Sequence, residues 1–169
     1  MSATSTASSA ARPTPPLVTR ALHRRSVAVL ATVSAAGRPH AATVVYCAVG
    51  HQLYVSTLRS SRKGRNLDQN PWVGVVVPVR RLPVGPPSSI QFQGRAEVLD
   101  PDDDEITRLV DSGELTAITG HGELELPDGC FVRITPVGPI HTYGLGLSLR
   151  RLIRDPLNAG GSVERLSPA

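Results

Sequence analysis

The chain has 169 residues with 18 basic and 14 acidic side chains, and seventeen of the bases are arginine against a single lysine, Lys63. An apolar content of 40% with 19% charged residues excludes a disordered chain and fits one domain with one core. No apolar run approaches the ~18 residues that a membrane helix needs, which excludes an integral membrane protein of that kind.

Aromatic residues are only 4%, so aliphatic side chains fill the core, and 15 Gly with 15 Pro favour short strands joined by turns. The formal charge of +4 is spread along the chain with few aromatics among the bases, which argues against a nucleic-acid partner. Met1 to Pro16 is nearly all Ser, Thr, Ala and Pro and reads as a solvated tail. Leu17 to Arg25 has the spacing of a short amphipathic helix. Arg24-Arg25 before Val27–Val33 imitates a twin-arginine export signal. That apolar core is short and contains Thr32, and Ala36-Gly37-Arg38-Pro39 turns at once into a second valine-rich run. A hairpin of Val27–Ser34 with Ala41–Val49 and a cytoplasmic location are therefore expected.

Leu53–Thr57 reads as a third strand, Leu58–Gln69 as a basic helix bounded by Pro71, and Trp72–Val79 as a strand buried on both faces. Arg80–Ser88 is a proline-rich loop. Ile90 to Val98 alternates apolar and polar residues without a break, the cleanest strand pattern in the chain. Asp100 and Pro101 suggest the start of a helix that buries Ile106, Leu109 and Val110 and ends at Gly113. Phe131–Tyr143 gives the last strand, and a loose tail is expected from Asn158. The pattern predicts a mainly β fold, six or so antiparallel strands closing into a small barrel with a few short helices. Residues 17–145 form the domain and 146–169 an extension suited to packing on a partner chain.

Cys47 and Cys130 lie in apolar stretches without C-x-x-C spacing and read as buried thiols of a reduced protein. The five histidines lack zinc-site spacing, so no metal is expected. Asp102-Asp103-Asp104-Glu105 reads as a favourable partner of a helix dipole. No Ser/His/Asp or Cys/His arrangement marks a nucleophile, so the catalytic residues are not assigned.

The richest stretch is Ser56-Thr57-Leu58-Arg59-Ser60-Ser61-Arg62-Lys63-Gly64-Arg65-Asn66-Leu67. A strand ends in two hydroxyl residues and enters a helix whose free N–H groups suit a phosphate. Thr57 and Ser61 offer hydroxyls, and Arg62 and Lys63 offer a planar fork and a point charge. A solvated basic helix capped by Ser60 fits the spacing equally well.

The string Ser61-Arg62-Lys63, then Asn66-Leu67, Asn70-Pro71 and Val73–Val77, resembles the pyridoxamine 5'-phosphate oxidase-like family. So does Gly94-Arg95-Ala96-Glu97-Val98, and the likeness runs roughly from Leu17 to Val137. The resemblance implies a six-stranded antiparallel split β-barrel and a homodimer holding FMN or a deazaflavin coenzyme of the F-420 type between protomers. It implies that Thr43, Val44 and Val45 lie against the ring, and that Ser56, Thr57, Arg62 and Lys63 hold the phosphate. A polar residue, Ser89 or Gln91, would approach the ring. The basic residues that bound the Thr43–Cys47 strand in the true oxidase are absent here, as is its C-terminal substrate block, so pyridoxamine phosphate is not the expected substrate. The implied activity is hydride transfer to or from a small or conjugated substrate, with Tyr46 and Tyr143 as candidate proton donors. Non-catalytic storage, sensing or sequestration of a cofactor or haem is the alternative. Trp72 receives no role from the family and reads as a core anchor at the strand start.

Overall fold

The computed structural model describes residues 13–79 and 88–166. Strands β1 (Val27–Val33) and β2 (Pro39–Val45) form a hairpin in register from Val27↔Val45 to Val33↔Pro39. Gly37 turns it at φ +73°, a conformation that needs no side chain. After β3 (Cys47–Val49) come β4 (Gln52–Leu58), β5 (Trp72–Pro78), β6 (Ser89–Leu99), β7 (Gly129–Tyr143) and β8 (Gly160–Val163). The order is β2-β1-β5-β6-β7-β4-β3, with β8 added on β7 and every pairing antiparallel.

The two ends of that order, β2 and β3, are consecutive pieces of one segment that meet at Tyr46. The first piece pairs with β1 and the second with β4, so the sheet curls back on itself as a split barrel. Counted that way, the six expected strands are the ring, and β8 is the addition. Leu30, Val55, Val75, Ile90, Phe92 and Ile134 fill its interior.

Helices α1 (Pro15–His23), α2 (Arg62–Leu67), α3 (Asp104–Asp111), α4 (Thr116–Thr119) and α5 (Leu149–Arg154) surround it. A second apolar cluster, with Tyr54, Leu99, Phe131, Ile106, Leu115 and Ile118, seals α3 and α4 onto β4 and β7. The strands covered on both faces are therefore β4, where Leu53, Tyr54 and Val55 are all buried, and the first part of β7, where Cys130, Phe131 and Val132 are, rather than β5. On β5 only Val73, Val75 and Val77 turn inward, and Trp72 at its start is exposed instead of anchoring the core.

Several boundaries move. Proline is welcome in the first turn of a helix, so α1 begins at Pro15, inside the stretch that reads as tail. Asp103, not Asp100, caps α3 by accepting from the Glu105 N–H at 2.8 Å. The expected loose end contains β8, paired from Ile140↔Val163 to Tyr143↔Gly160. Leu147, Leu152 and Ala159 pack together against Tyr143, so this part of the extension is bound to its own chain. The loop expected at 80–88 lies outside the described residues except for Ser88. Val27–Val33, the apolar core of the export-like pattern, is paired on both edges as β1. No described helix is long and apolar enough to cross a membrane. Both cysteines are buried and free, and burial pushes both thiols up.

Candidate functional site

A corner of hydroxyls and cations lies where β4 runs into α2. Thr57 points inward and its Oγ1 lies 3.3 Å from Ser61 Oγ. Ser61, rather than Ser60, caps the helix by accepting from the Gly64 N–H at 3.1 Å. The helix has six residues, not the twelve from Leu58 to Gln69, because residues 58–61 are held as a turn from outside. Asp128 does this by accepting the N–H of Ser60 at 2.9 Å through its carboxylate and that of Arg59 at 2.9 Å through its carbonyl. The hydrogen bonds from Ser60 hold the Asp128 carboxyl below the usual carboxylate range. Arg59 is further tied to Asp100 at 2.6 Å.

Gly64 is forced by this turn, since a Cβ there would lie 2.4 Å from the Leu58 carbonyl oxygen and 2.5 Å from that of Arg59. Side chains alternate along a strand, so Ser56 faces the opposite way from Thr57, on the side of Tyr54. The structure thus brings Thr57, Ser61, Arg62 and Lys63 to one junction but turns the Ser56 hydroxyl away. Arg62 is exposed and Lys63 half-buried, and neither makes an ion pair or side-chain hydrogen bond among the described residues. Cations left without carboxylates beside two hydroxyls fit a phosphate.

Helix α2 is seated on the hairpin by Asn66, whose buried Nδ2 donates to Thr32 Oγ1 at 2.9 Å. This puts the cationic corner beside the start of β2, whose outer edge has no partner strand among the described residues. From His40 to Thr43 that edge runs three residues, about 10 Å at strand rise. Thr43 and Val45 point outward, whereas Val44 is buried in the core and offers only its backbone.

The outward face of the sheet carries a second set of candidates. Strand register aligns Thr43, Val29, Val76, Gln91 and His141 in one row across five strands. Ala41, Ala31, Gly74, Gln93 and Val137 form the next. Between β1, β5, β6 and β7 this face holds a cleft of about 450 Å³. Gln91 lines the cleft, and Ser89, outside the lining on the same strand, is joined to it by a hydrogen bond of 2.9 Å from Gln91 Nε2. Opposite Phe92, β7 bulges, with Gly138 at φ +72°, and the bulge brings Val137, Pro139 and His141 to the cleft.

The proton-donor candidates separate. Tyr46 is buried, its hydroxyl donates to the Leu22 carbonyl at 2.8 Å, and burial pushes the phenol well above its ordinary value. It is a structural lock rather than an acid. Tyr143 is half-buried opposite Ser89. Among the described residues no three His, Cys, Asp or Glu side chains gather as a metal site. Sequence reasoning missed Arg38, Arg65 and Gln93, which reach the site through pairing and helix placement. It also missed Gly64, whose only signal is a glycine inside a short helical run.

The family model described as pyridoxamine 5'-phosphate oxidase matches residues 15–138. No curated protein matches the chain significantly. Among solved structures, the haem storage protein HutZ from Vibrio cholerae is 22% identical with a TM-score of 0.65, covering 76% of this chain and 94% of that one. A haem-binding protein from Mycobacterium smegmatis is 19% identical with a TM-score of 0.68, covering 92% of this chain and 60% of its own. An F420 reductase is 24% identical with a TM-score of 0.51, covering 70% of this chain and 91% of its own. At these identities the neighbours share a fold, and their names point to haem in two cases and to F420 reduction in the third. The split barrel and a family match that spans more than two thirds of the chain lead to the same conclusion: the chain belongs to the pyridoxamine 5'-phosphate oxidase family.

Proposed function

We propose that the protein is an oxidoreductase that binds FMN or a deazaflavin coenzyme of the F-420 type, in clefts of a cytoplasmic homodimer. The observation that carries this reading is the pair Arg62 and Lys63, without carboxylate partners among the described residues, beside the Thr57 and Ser61 hydroxyls. Lys63 and Arg62 would bind the phosphate, and Thr57 and Ser61 would orient it. The free edge of β2 would meet the ring with backbone groups around Thr43, Val44 and Val45. Ser89 and Gln91 would offer side-chain hydrogen bonds from the outward face. The cofactor supplies hydride chemistry when bound, and the protein supplies orientation and a dry wall. Apolar Val29, Val76 and Val137 support that last role by lining the outer cleft.

Spectral titration of the purified protein with FMN and with the deazaflavin tests the reading. Lys63→Ala is expected to weaken binding of the preferred cofactor about tenfold or more, the scale of one charge-assisted hydrogen bond. The variant should keep the melting temperature of the parent. Saturable binding of neither cofactor would remove the proposal. Haem is the second reading, favoured by one observation: His141 is the sole imidazole in an otherwise largely apolar outer cleft. Haemin titration distinguishes it, since that reading requires a Soret band that His141→Ala shifts.

A further inference from the structure

Beyond β7 the chain presents an apolar edge to solvent. Helix α5 is seated by Leu152, which packs with Leu147, Ala159 and Tyr143, and β8 after it pairs with β7. Ser148 caps the helix by accepting from the Arg151 N–H at 3.4 Å. The element is therefore held in one orientation, yet its outer side is not polar. Leu149 and Ile153, one helical turn apart, are both exposed, Ile153 to 62%. Leu157, in the 3-10 turn Pro156–Asn158 that follows, is 95% exposed. A single exposed leucine needs no explanation, but three on one short, well-seated element mark a surface that is covered in use.

Arg150, Arg151 and Arg154 stand among these apolar residues, and none has an ion pair among the described residues. Asp155 is the one acid from Ser148 to Val163, and its carboxylate accepts from Asn158 Nδ2 at 2.8 Å. A second copy docked here about a two-fold axis would set the same arginines against each other. Three protruding side chains are also well short of the ~800 Å² per partner that a stable protein interface buries. An anionic lipid surface meets neither objection. Its headgroup boundary accepts protruding apolar side chains without a matching shape, and its phosphates receive the guanidinium groups. We propose that α5 and the turn after it dock the protein on an anionic phospholipid surface. Leu149, Ile153 and Leu157 enter the boundary between headgroups and acyl chains, and Arg150, Arg151 and Arg154 remain at the phosphates. The protein lies on such a surface and does not span it, and the contact is independent of which cofactor the barrel holds.

The probes are vesicles of phosphatidylcholine alone and of phosphatidylcholine with about one third phosphatidylglycerol, co-sedimented with the full chain. The parent is expected to pellet with the anionic vesicles and to stay in solution with the neutral ones. Ile153→Ser combined with Leu157→Ser should weaken binding about tenfold or more. Arg154→Gln should weaken it about fivefold. Arg108→Gln, which deletes one exposed arginine on α3, controls for net charge and should bind as the parent does. The substituted side chains are exposed, so melting temperatures and sedimentation coefficients without lipid should match those of the parent. Failure of the parent to bind anionic vesicles would overturn the proposal. Undiminished binding by the serine variant, or equal losses in Arg154→Gln and Arg108→Gln, would reduce the contact to net charge and overturn it as well. A serine variant that changes the oligomeric state would give the patch to a second copy, with the same consequence.

Discussion

Gly64 is the residue at which local propensity and tertiary structure disagree. Alanine is the better helix former by about 1 kcal/mol, yet its Cβ would press on two backbone carbonyls that cannot move aside without opening the turn at Leu58 and Arg59. Gly64→Ala is expected to lower stability by roughly 1–3 kcal/mol, as overpacking does, read as a lower urea midpoint. Two tyrosines make a second residue-scale case. Burial holds the phenols of Tyr46 and Tyr54 above their ordinary value of 10.0, with the Glu105 carboxylate adding to the effect at Tyr54. The native state therefore keeps protons that the unfolded chain releases. Their contribution is complete below about pH 10 and is lost as the pH rises through the native values. Denaturation midpoints are expected to hold level below about pH 10 and to fall progressively above it, and Tyr46→Phe should flatten part of that slope.

At the scale of elements, α2 is positioned more by one buried hydrogen bond than by its own six residues. Asn66→Ala leaves Thr32 Oγ1 with only a long 3.5 Å contact to the His40 carbonyl, at an expected cost of about 1–3 kcal/mol. A double-mutant cycle with Thr32→Val measures the coupling, and a result near zero would mean that α2 is held by other contacts. How much of the elements could be read from the sequence follows from the range of the forces. The alternation of β6 and the turn at Gly37 are local, and both strands of the hairpin were legible. The length of α2 was not, because the turn before it is held by Asp128, 68 residues away. Gly160–Val163 has the composition of a linker and becomes a strand because β7 offers it an edge. The opposed directions of Ser56 and Thr57 are readable in principle, since a strand alternates, but their shared hydroxyl chemistry obscures it.

For the whole molecule, the outward sheet face decides how many chains make a complete site. Val27, Val45, Trp72, Val76 and Val137 are 41%, 47%, 48%, 39% and 40% exposed in the single protomer. They all stand on one face of the β2-β1-β5-β6-β7 surface, where a second copy would cover them. Sedimentation is expected to give a dimer at micromolar concentration, and Val76→Glu, in the middle of the row, should give a folded monomer. A monomeric parent would confine any cofactor to contacts within one chain. The same face explains why β5 misled: its near-continuous valines are those of a strand that needs covering on both sides, and one protomer covers only the inner one.

Lys63 gives the fold a built-in reporter. Arginine supplies every other basic side chain that is cationic at all working pH, so an amine-selective acylating reagent finds one side-chain target in the whole protein. That target stands half-buried at the junction of β4 and α2. Its labelling rate, followed by intact mass, converts occupancy of the junction into a time course. A colourless ligand can then be detected at the site without any spectral signature of its own.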